Sequence, residues 1–301
     1  MAGKILVVGS LHLDVIVHSS RLPKPDETLL GDKVSYRFGG KGGNQALAAA
    51  KIDVQVFMAG RIGTDNFGKQ IYDTLSNQNI NLDGLKMVDE ATGMSVALIG
   101  SDGIYCAVVV SGANQTIDLS EIAVPDDLTV LVLQNEINTD ANFEIIKKVP
   151  KSTFIILNAA PALTPNKDFF ERIDLLVVNQ LEAKMLLNEE PSIFNNLDAL
   201  RKLQNLGPKE VIITMGADGY TGISKNGEIF SEPGIKVDVL STHGAGDSFV
   251  GTLAAFICKG EPINIAAQYA QASSALHVKT PIDQREKILQ ADIENMFSLN
   301  Q

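Results

Sequence analysis

Short apolar runs rich in valine and isoleucine recur along this chain, with stretches of helical character between them. The runs occupy residues 5–8, 54–58, 130–133, 154–157, 175–178 and 211–214. Because these runs are continuously apolar rather than alternating, they suit strands covered on both faces. The helical stretches are 45–51, 67–77, 142–148, 182–187 and 197–204. Strand–helix alternation of this kind predicts an α/β fold: a central, mainly parallel sheet with helices on both faces. From residue 247 onward the pattern is helical, over 247–258, 263–277 and 284–296.

Two regions break the alternation. Residues 11–38 carry Leu13, Val15 and Val17, then a proline-rich turn, then 33–38; residues 92–112 read as a hairpin, 94–99 and 105–110, about a turn at Ser101-Asp102-Gly103. Taken alone they could be edge strands of the main sheet. With the motifs below they read instead as a small antiparallel lid within one domain spanning 1–301.

A net charge of -11 without a basic cluster argues against nucleic acid or an anionic membrane as partner. No apolar run approaches a membrane span, and the start lacks a long hydrophobic region with a cleavage site, so the expected location is cytoplasmic. Cys106 and Cys258 match no metal or redox spacing and are expected to be buried thiols.

The most informative stretch runs from Ser241 through Thr242-His243-Gly244-Ala245-Gly246-Asp247 into a helix. Small residues permit close backbone approach. The free N–H groups and positive dipole end of the helix would face an anion. Asp247, at that start, could accept a hydroxyl proton beside a bound phosphate; it could also be no more than a helix cap. The second stretch, Gly39-Gly40-Lys41-Gly42-Gly43-Asn44-Gln45, also opens a helix. Lys41 and Asn44 offer donors to hydroxyls. The stretch is neither a P-loop nor a dinucleotide fingerprint, because Gln45 stands where the last glycine should be.

Together these loops resemble the signatures of the ribokinase-like (PfkB-type) sugar kinases. Further motifs follow in the family's order: Gln134-Asn135-Glu136, Asn158-Ala159-Ala160-Pro161-Ala162, Asn179-Gln180-Leu181-Glu182, and Thr214-Met215-Gly216-Ala217-Asp218-Gly219. The resemblance covers nearly the whole chain and is nearest to the ribokinase pattern. It implies Asp247 as the base activating a sugar hydroxyl, with the amides of Gly244, Ala245 and Gly246 as the anion hole. It implies Asp14, Gly40, Lys41, Asn44 and Glu136 as sugar contacts, and Thr214, Gly216 and Gly219 near the nucleotide phosphates. Asn179 and Glu182 are implied around phosphate and Mg2+, with Glu182 acting through water; on the residues alone, the same pair could simply cap the following helix. The cosubstrate implied is ATP, and the leading reaction is ribose to ribose 5-phosphate. Deoxyribose, fructose or a nucleoside such as pseudouridine stays open as acceptor, with Tyr36, Phe38 and Tyr105 available as a base platform. The alternative of another class is a non-catalytic sugar sensor.

The chain departs from the ribokinase pattern in three places. His12 stands where that pattern has asparagine, two residues before Asp14. Ser241 stands where it has an aspartate that helps bind an activating potassium ion, and 275–281 lacks its glycine after the basic residue. No potassium site is therefore assigned. The apolar alternation of Leu13, Val15 and Val17, and of Val108 and Val110, leaves lid faces too small for a core of their own, and the resemblance implies a homodimer paired through the lids.

Overall fold

The apolar runs become the central strands of a nine-stranded sheet. The structure, a computed structural model, describes residues 3–101, 104–163, 167–189 and 195–300. In chain order the strands are β1 (Lys4–Val8), β2 (His12–Ser19), β3 (Gly31–Gly39), β4 (Gln55–Gly63), β5 (Ile80–Val88), β6 (Met94–Gly100), β7 (Tyr105–Val110), β8 (Leu128–Gln134), β9 (Phe154–Asn158), β10 (Leu175–Asn179), β11 (Glu210–Thr214), β12 (Tyr220–Ile223) and β13 (Ile229–Glu232). The helices are α1 (Lys41–Ala49), α2 (Asn66–Ser76), α3 (Thr139–Lys148), α4 (Lys167–Glu171), α5 (Gln180–Leu187), α6 (Asn196–Gln204), α7 (Ala245–Cys258), α8 (Ile263–Lys279) and α9 (Gln290–Ser298).

The sheet order is β13-β12-β11-β10-β9-β8-β1-β4-β5. The strands from β11 to β5 are parallel, and β12 and β13 extend that edge antiparallel. Strand residues alternate between two cores, as period-2 geometry requires. Ile5, Val7, Val130, Val132 and Val177 pack with α1, α7 and α8; Leu6, Val8, Leu131, Leu133 and Val178 pack with α3, α5 and α6. Burying each such side chain stabilises the fold by about 1.5–3 kcal/mol. The chain leaves β1 for β4 on one side and later returns to β8 on the other, so β1 and β8 flank the point where strand order reverses. Ligands of open α/β sheets bind beyond the carboxyl ends of the strands at such a point.

Residues 11–38 and 92–112 form a separate four-stranded sheet, β3-β2-β6-β7, not edges of the main one. It is mixed rather than purely antiparallel, because β2 and β6 run parallel. The turn expected at 102–103 lies outside the described residues. Four further expectations need correction. Strands β5, β12 and β13 were not anticipated: they sit toward the sheet's edges, β5 interleaves exposed polar residues with apolar ones, and β12 and β13 are only four residues each. Helix α1 begins at Lys41, because Gly42 and Gly43 are already helical. The single helix expected over 284–296 is broken into a 3-10 turn, Ile282–Lys287, and α9, whose start is closed by Asp292 accepting from the Leu289 N–H at 2.9 Å. Cys106 is exposed, since it lies on the outer lid strand β7, whereas Cys258 is buried.

Helix α7 is buried on nearly every face, wedged between the sheet, α1 and α8. Ser248 and Thr252 contact Ser273 of α8 at 2.9 and 2.8 Å. Against α1 the spacing is set by Gly251, where a Cβ would lie 2.2 Å from the Gln45 carbonyl oxygen and 2.7 Å from the Ala48 Cβ. Replacing Gly251 by valine should force the helices apart and cost about 1–3 kcal/mol. Chemical denaturation is expected to show that loss, together with a fall in ligand affinity as Asn44 and Gln45 shift; an unchanged unfolding midpoint would contradict the packing account.

Candidate active site

The carboxyl end of β1 leads into Gly9-Ser10, and the N-terminus of α1 is seated directly on it. Gly40 has φ 87°, and a Cβ there would lie 2.7 Å from the Leu11 Cα and from the Ser10 carbonyl oxygen. A Cβ on Gly42 would lie 2.7 Å from backbone atoms of Gly9 and Ser10. The glycines are therefore demanded by packing as well as by ligand access. Glu136, just beyond β8, accepts from the Lys41 backbone N–H at 2.9 Å and from the Ser10 hydroxyl at 2.5 Å, placing a carboxylate at the start of α1.

Asp247 lies in the first turn of α7, after Gly244 in the left-handed region (φ 77°). Its buried carboxylate accepts from Gln45 Nε2 at 3.0 Å and from Asn44 Nδ2 at 3.3 Å. Gln45, 0% exposed, also donates to Asn158 Oδ1 (3.1 Å) and accepts from Gln134 Nε2 (2.7 Å). Asn158 in turn donates to the Val177 carbonyl, and Asn142 to that of Gln134. This chain of amides fixes the orientation of the carboxylate it ends on. Burial pushes the Asp247 carboxyl up from its ordinary value; Lys41 and the Gln45 hydrogen bond oppose that rise, and Glu136 adds to it. Burial pulls Lys41 down, but Asp247, Glu136 and Glu182 together outweigh it and hold the ammonium above its ordinary value. The site thus presents a permanent cation among carboxylates, one of them a strengthened base.

Beyond Asp247 lies a cavity of about 200 Å³ lined by Lys41, Asn179, Glu182, Thr214, Gly244, Ala245, Gly246 and Asp247. The Ala245 N–H bonds back to the Thr242 carbonyl at 3.1 Å, so within the expected anion hole it is engaged inside the loop. The N–H groups of Gly244 and Gly246 have no backbone acceptor among the described residues. Asn179 and Glu182, at the carboxyl end of β10, form a reciprocal capping box at 2.8 Å each way that uses Glu182 Oε2. Burial raises the Glu182 carboxyl, against the Asn179 hydrogen bond and Lys41. Gly216 and Gly219 follow β11 but do not line the cavity. Gly219 (φ 90°) is required by structure, because a Cβ would fall 2.0 Å from the Glu232 carbonyl oxygen; the side of Gly216 is open.

On the lid side, Asp14 is buried on β2, with Oδ2 3.2 Å from His243 Nε2, joining the lid to the loop that leads into α7. His12 is buried two residues earlier, and burial lowers its ring below the ordinary histidine range despite Glu136 and Asp14. Its Nε2 has no hydrogen-bond partner among the described residues. A cleft of about 650 Å³ opens on the other side of Gly244, bounded by Tyr36 and Phe38 of β3, Asn44 and Leu47 of α1, and His243. Tyr36 packs against Phe67 at 6.2 Å between ring centroids. The side chain of Tyr105 lies outside the described residues.

The structure therefore gathers Lys41, Asn44, Glu136 and Asp247 around one point, with Asn179, Glu182 and Thr214 beyond it and Asp14 across it. Sequence reasoning missed Gln45, noted only as a departure from the dinucleotide fingerprint. A glutamine beside the buried Ala46 and Ala49 of an alanine-rich helix was the available signal. Arg285 was missed as well, lying at the start of the helix expected over 284–296.

Comparison with known proteins places this geometry. The family description "pfkB family carbohydrate kinase" matches residues 2–287. The ribokinase of Schizosaccharomyces pombe is 32% identical over 292 residues, covering 91% of this chain and 92% of that protein. A deoxyribokinase of Salmonella typhi is 28% identical over 282 residues, again covering 91% and 92%. The structure of Arabidopsis thaliana ribokinase complexed with ribose and ATP superposes with a TM-score of 0.89 at 28% identity, covering 99% of each chain. A family match across nearly the whole length, joined to a relative above 30% identity, makes the assignment plain: this chain belongs to the pfkB family of carbohydrate kinases.

Proposed function

We propose that the chain transfers the γ-phosphoryl group of ATP to a hydroxyl of ribose, giving ribose 5-phosphate and ADP, with Asp247 as general base. The observation that carries this reading is the buried Asp247 carboxylate, aimed by Asn44 and Gln45 and set at a helix N-terminus beside Lys41. The ribose- and ATP-bound plant relative supports the choice of substrates. In the step, the sugar O–H bond breaks and its proton passes to Asp247. The freed oxygen bonds to the γ-phosphorus as the bond to the bridging oxygen breaks, and ADP leaves with that electron pair. Gly244 and Gly246 donate to the oxygens of the transferring group, and Lys41 balances the charge that builds there. Asp14, Asn44 and Glu136 hold and orient the remaining hydroxyls. A magnesium ion fits the donor set at Glu182: the capping box leaves Oε1 unused, one carboxylate plus waters suits this ion, and it would neutralise phosphate charge. The buried His12, in place of an asparagine, favours a second reading in which the acceptor is a related sugar such as deoxyribose. A cytoplasmic setting belongs to the same proposal and is supported by the two unpaired cysteines; among the described residues, no helix is long and apolar enough to cross a membrane.

ADP release measured over pentoses, hexoses and nucleosides tests the substrate; preference for a sugar other than ribose would replace the first reading by the second. Asp247→Asn should keep ATP and sugar binding and lose roughly 10²–10⁴-fold in kcat. Because the base must be ionised and burial raises its pKa, wild-type activity should fall off on acidification at a higher pH than an ordinary aspartate would give. Near-normal turnover in the variant would remove Asp247 from this role. Asn44→Ala should weaken sugar binding far more than ATP binding in calorimetry; equal losses would count against a dedicated sugar loop.

The proposal extends to a homodimer joined through the lids. Val108, 68% exposed, stands on the outer strand β7 beside Val109 and Val110, an apolar strip that the described residues leave more than half exposed. Light scattering at micromolar concentration should give a dimer mass, and Val108→Asp with Val110→Asp should give a monomer. A fully active wild-type monomer would refute the pairing.

A further inference from the structure

Three backbone carbonyls close to the catalytic loop converge on one side chain. Arg285 donates from Nη2 to the Ser241 carbonyl at 2.9 Å, from Nη1 to the His243 carbonyl at 2.9 Å, and from Nε to the Thr280 carbonyl at 3.2 Å. Nη1 also meets His277 Nε2 at 2.7 Å. Burial, with the guanidinium beside it, pushes the His277 ring down to about 4, so the ring is neutral; the same nitrogen lies 2.9 Å from the His243 carbonyl oxygen. Arg285 is only 9% exposed, and its own carbonyl accepts from Nζ of Lys51, just beyond the end of α1, at 2.9 Å. One cation thus ties together the end of α8, the 3-10 turn, the back of the sugar-loop helix, and the segment that delivers Gly244, Gly246 and Asp247.

Carbonyl oxygens that point at one another repel unless a cation stands between them. A set of neutral carbonyls of this kind is what a monovalent ion takes as ligands. Here a potassium ion does not fit. Arg285 already bonds the carbonyls that would hold it, and Ser241 contributes no negative charge. A planar guanidinium gives each oxygen a directed bond and remains charged at every working pH.

We propose that Arg285 is a built-in monovalent cation for this kinase: a positioning residue that holds the 241–244 loop, and through it Gly246 and Asp247, in working geometry, so that turnover does not depend on potassium. The proposal rests on the kinase reading for its main readout. Its mechanism is indirect, through the loop rather than through contact with the reacting atoms. A loop displaced by about 1 Å can cost on the order of a hundredfold in rate. The loss should fall on kcat, because the sugar contacts lie on other segments.

The test uses the full chain, with ADP release from ATP, magnesium and the best sugar acceptor measured in tetramethylammonium, sodium, potassium and ammonium salts. Wild-type kcat should be nearly the same in all four. Arg285→Ala should lose roughly 10–100-fold in kcat with little change in sugar KM, in line with loop misplacement. Added potassium or guanidinium should restore much of that loss in a saturable way, and Arg285→Lys should retain part of it. Where Arg285→Ala fails to fold, by circular dichroism, Arg285→Gln is read in its place, because it keeps some hydrogen bonding without the charge. Strong, saturable activation of the wild type by potassium would overturn the proposal. So would an unchanged kcat in the variant, or a loss that neither cation rescues in a folded protein. ADP affinity, measured by calorimetry on the same proteins, separates this from the kinase reading. If no sugar is phosphorylated, potassium-independent ADP binding in the wild type with potassium-dependent binding in the variant sustains the role of Arg285. ADP binding that responds alike in both proteins, or is absent from both, rejects it.

Discussion

Gln45 and Asp247 are 202 residues apart in the chain, yet the hydrogen bond between them at 3.0 Å sets the geometry on which the chemistry depends. A buried carboxylate without donors carries a desolvation penalty of several kcal/mol. Here the amides of Asn44 and Gln45 offset part of it and fix the direction of the oxygens. That bond requires α1 and α7 to approach more closely than side chains would ordinarily allow. Gly251 permits the approach on one helix, and Gly40 and Gly42 permit α1 to sit on the end of β1. The parallel sheet supplies the remaining partners: Gln134, Asn158, Asn179 and Thr214 are the last residues of successive strands, so their side chains arrive at one rim.

Much of this was legible in the sequence. Continuous Val/Ile runs gave the central strands to within a few residues, because strands buried on both faces have little compositional freedom. The glycine-rich loops and the carboxylates at strand ends marked the site for the same reason: few residue types can do their work. What stayed hidden is what depends on tertiary partners. Strand β5 mixes exposed and buried positions without strict alternation, and the short β12 and β13 hairpin onto the sheet's edge, so local pattern is weak there. Arg285 occupies what reads as one more polar helical position. Its function appears only when the 3-10 turn, stopped before Leu289, brings it against the 241–243 carbonyls. Gln45 was visible as a residue, but its partner lies at the far end of the chain.

Asn179 and Glu182 show how a structural role and a functional one can share residues. The reciprocal capping box uses one oxygen of each side chain. It locks the Glu182 rotamer and leaves the other carboxylate oxygen turned to a fixed place in the cavity. Helix capping and the proposed ion-holding role are therefore compatible: the cap fixes the carboxylate whose free oxygen the proposal assigns to the ion.

The tight seating of Gly40 and Gly42 also bears on how such a chain can change its substrate. With main-chain atoms about 2.7 Å from where their side chains would begin, these positions admit no larger residue without moving the 9–12 segment that follows β1. A lineage exploring new acceptors has no latitude in the floor of the pocket. Variation must come through the walls, at side chains that the floor does not constrain. His12, buried two residues before Asp14 with no partner for its Nε2 among the described residues, is a side chain of that kind.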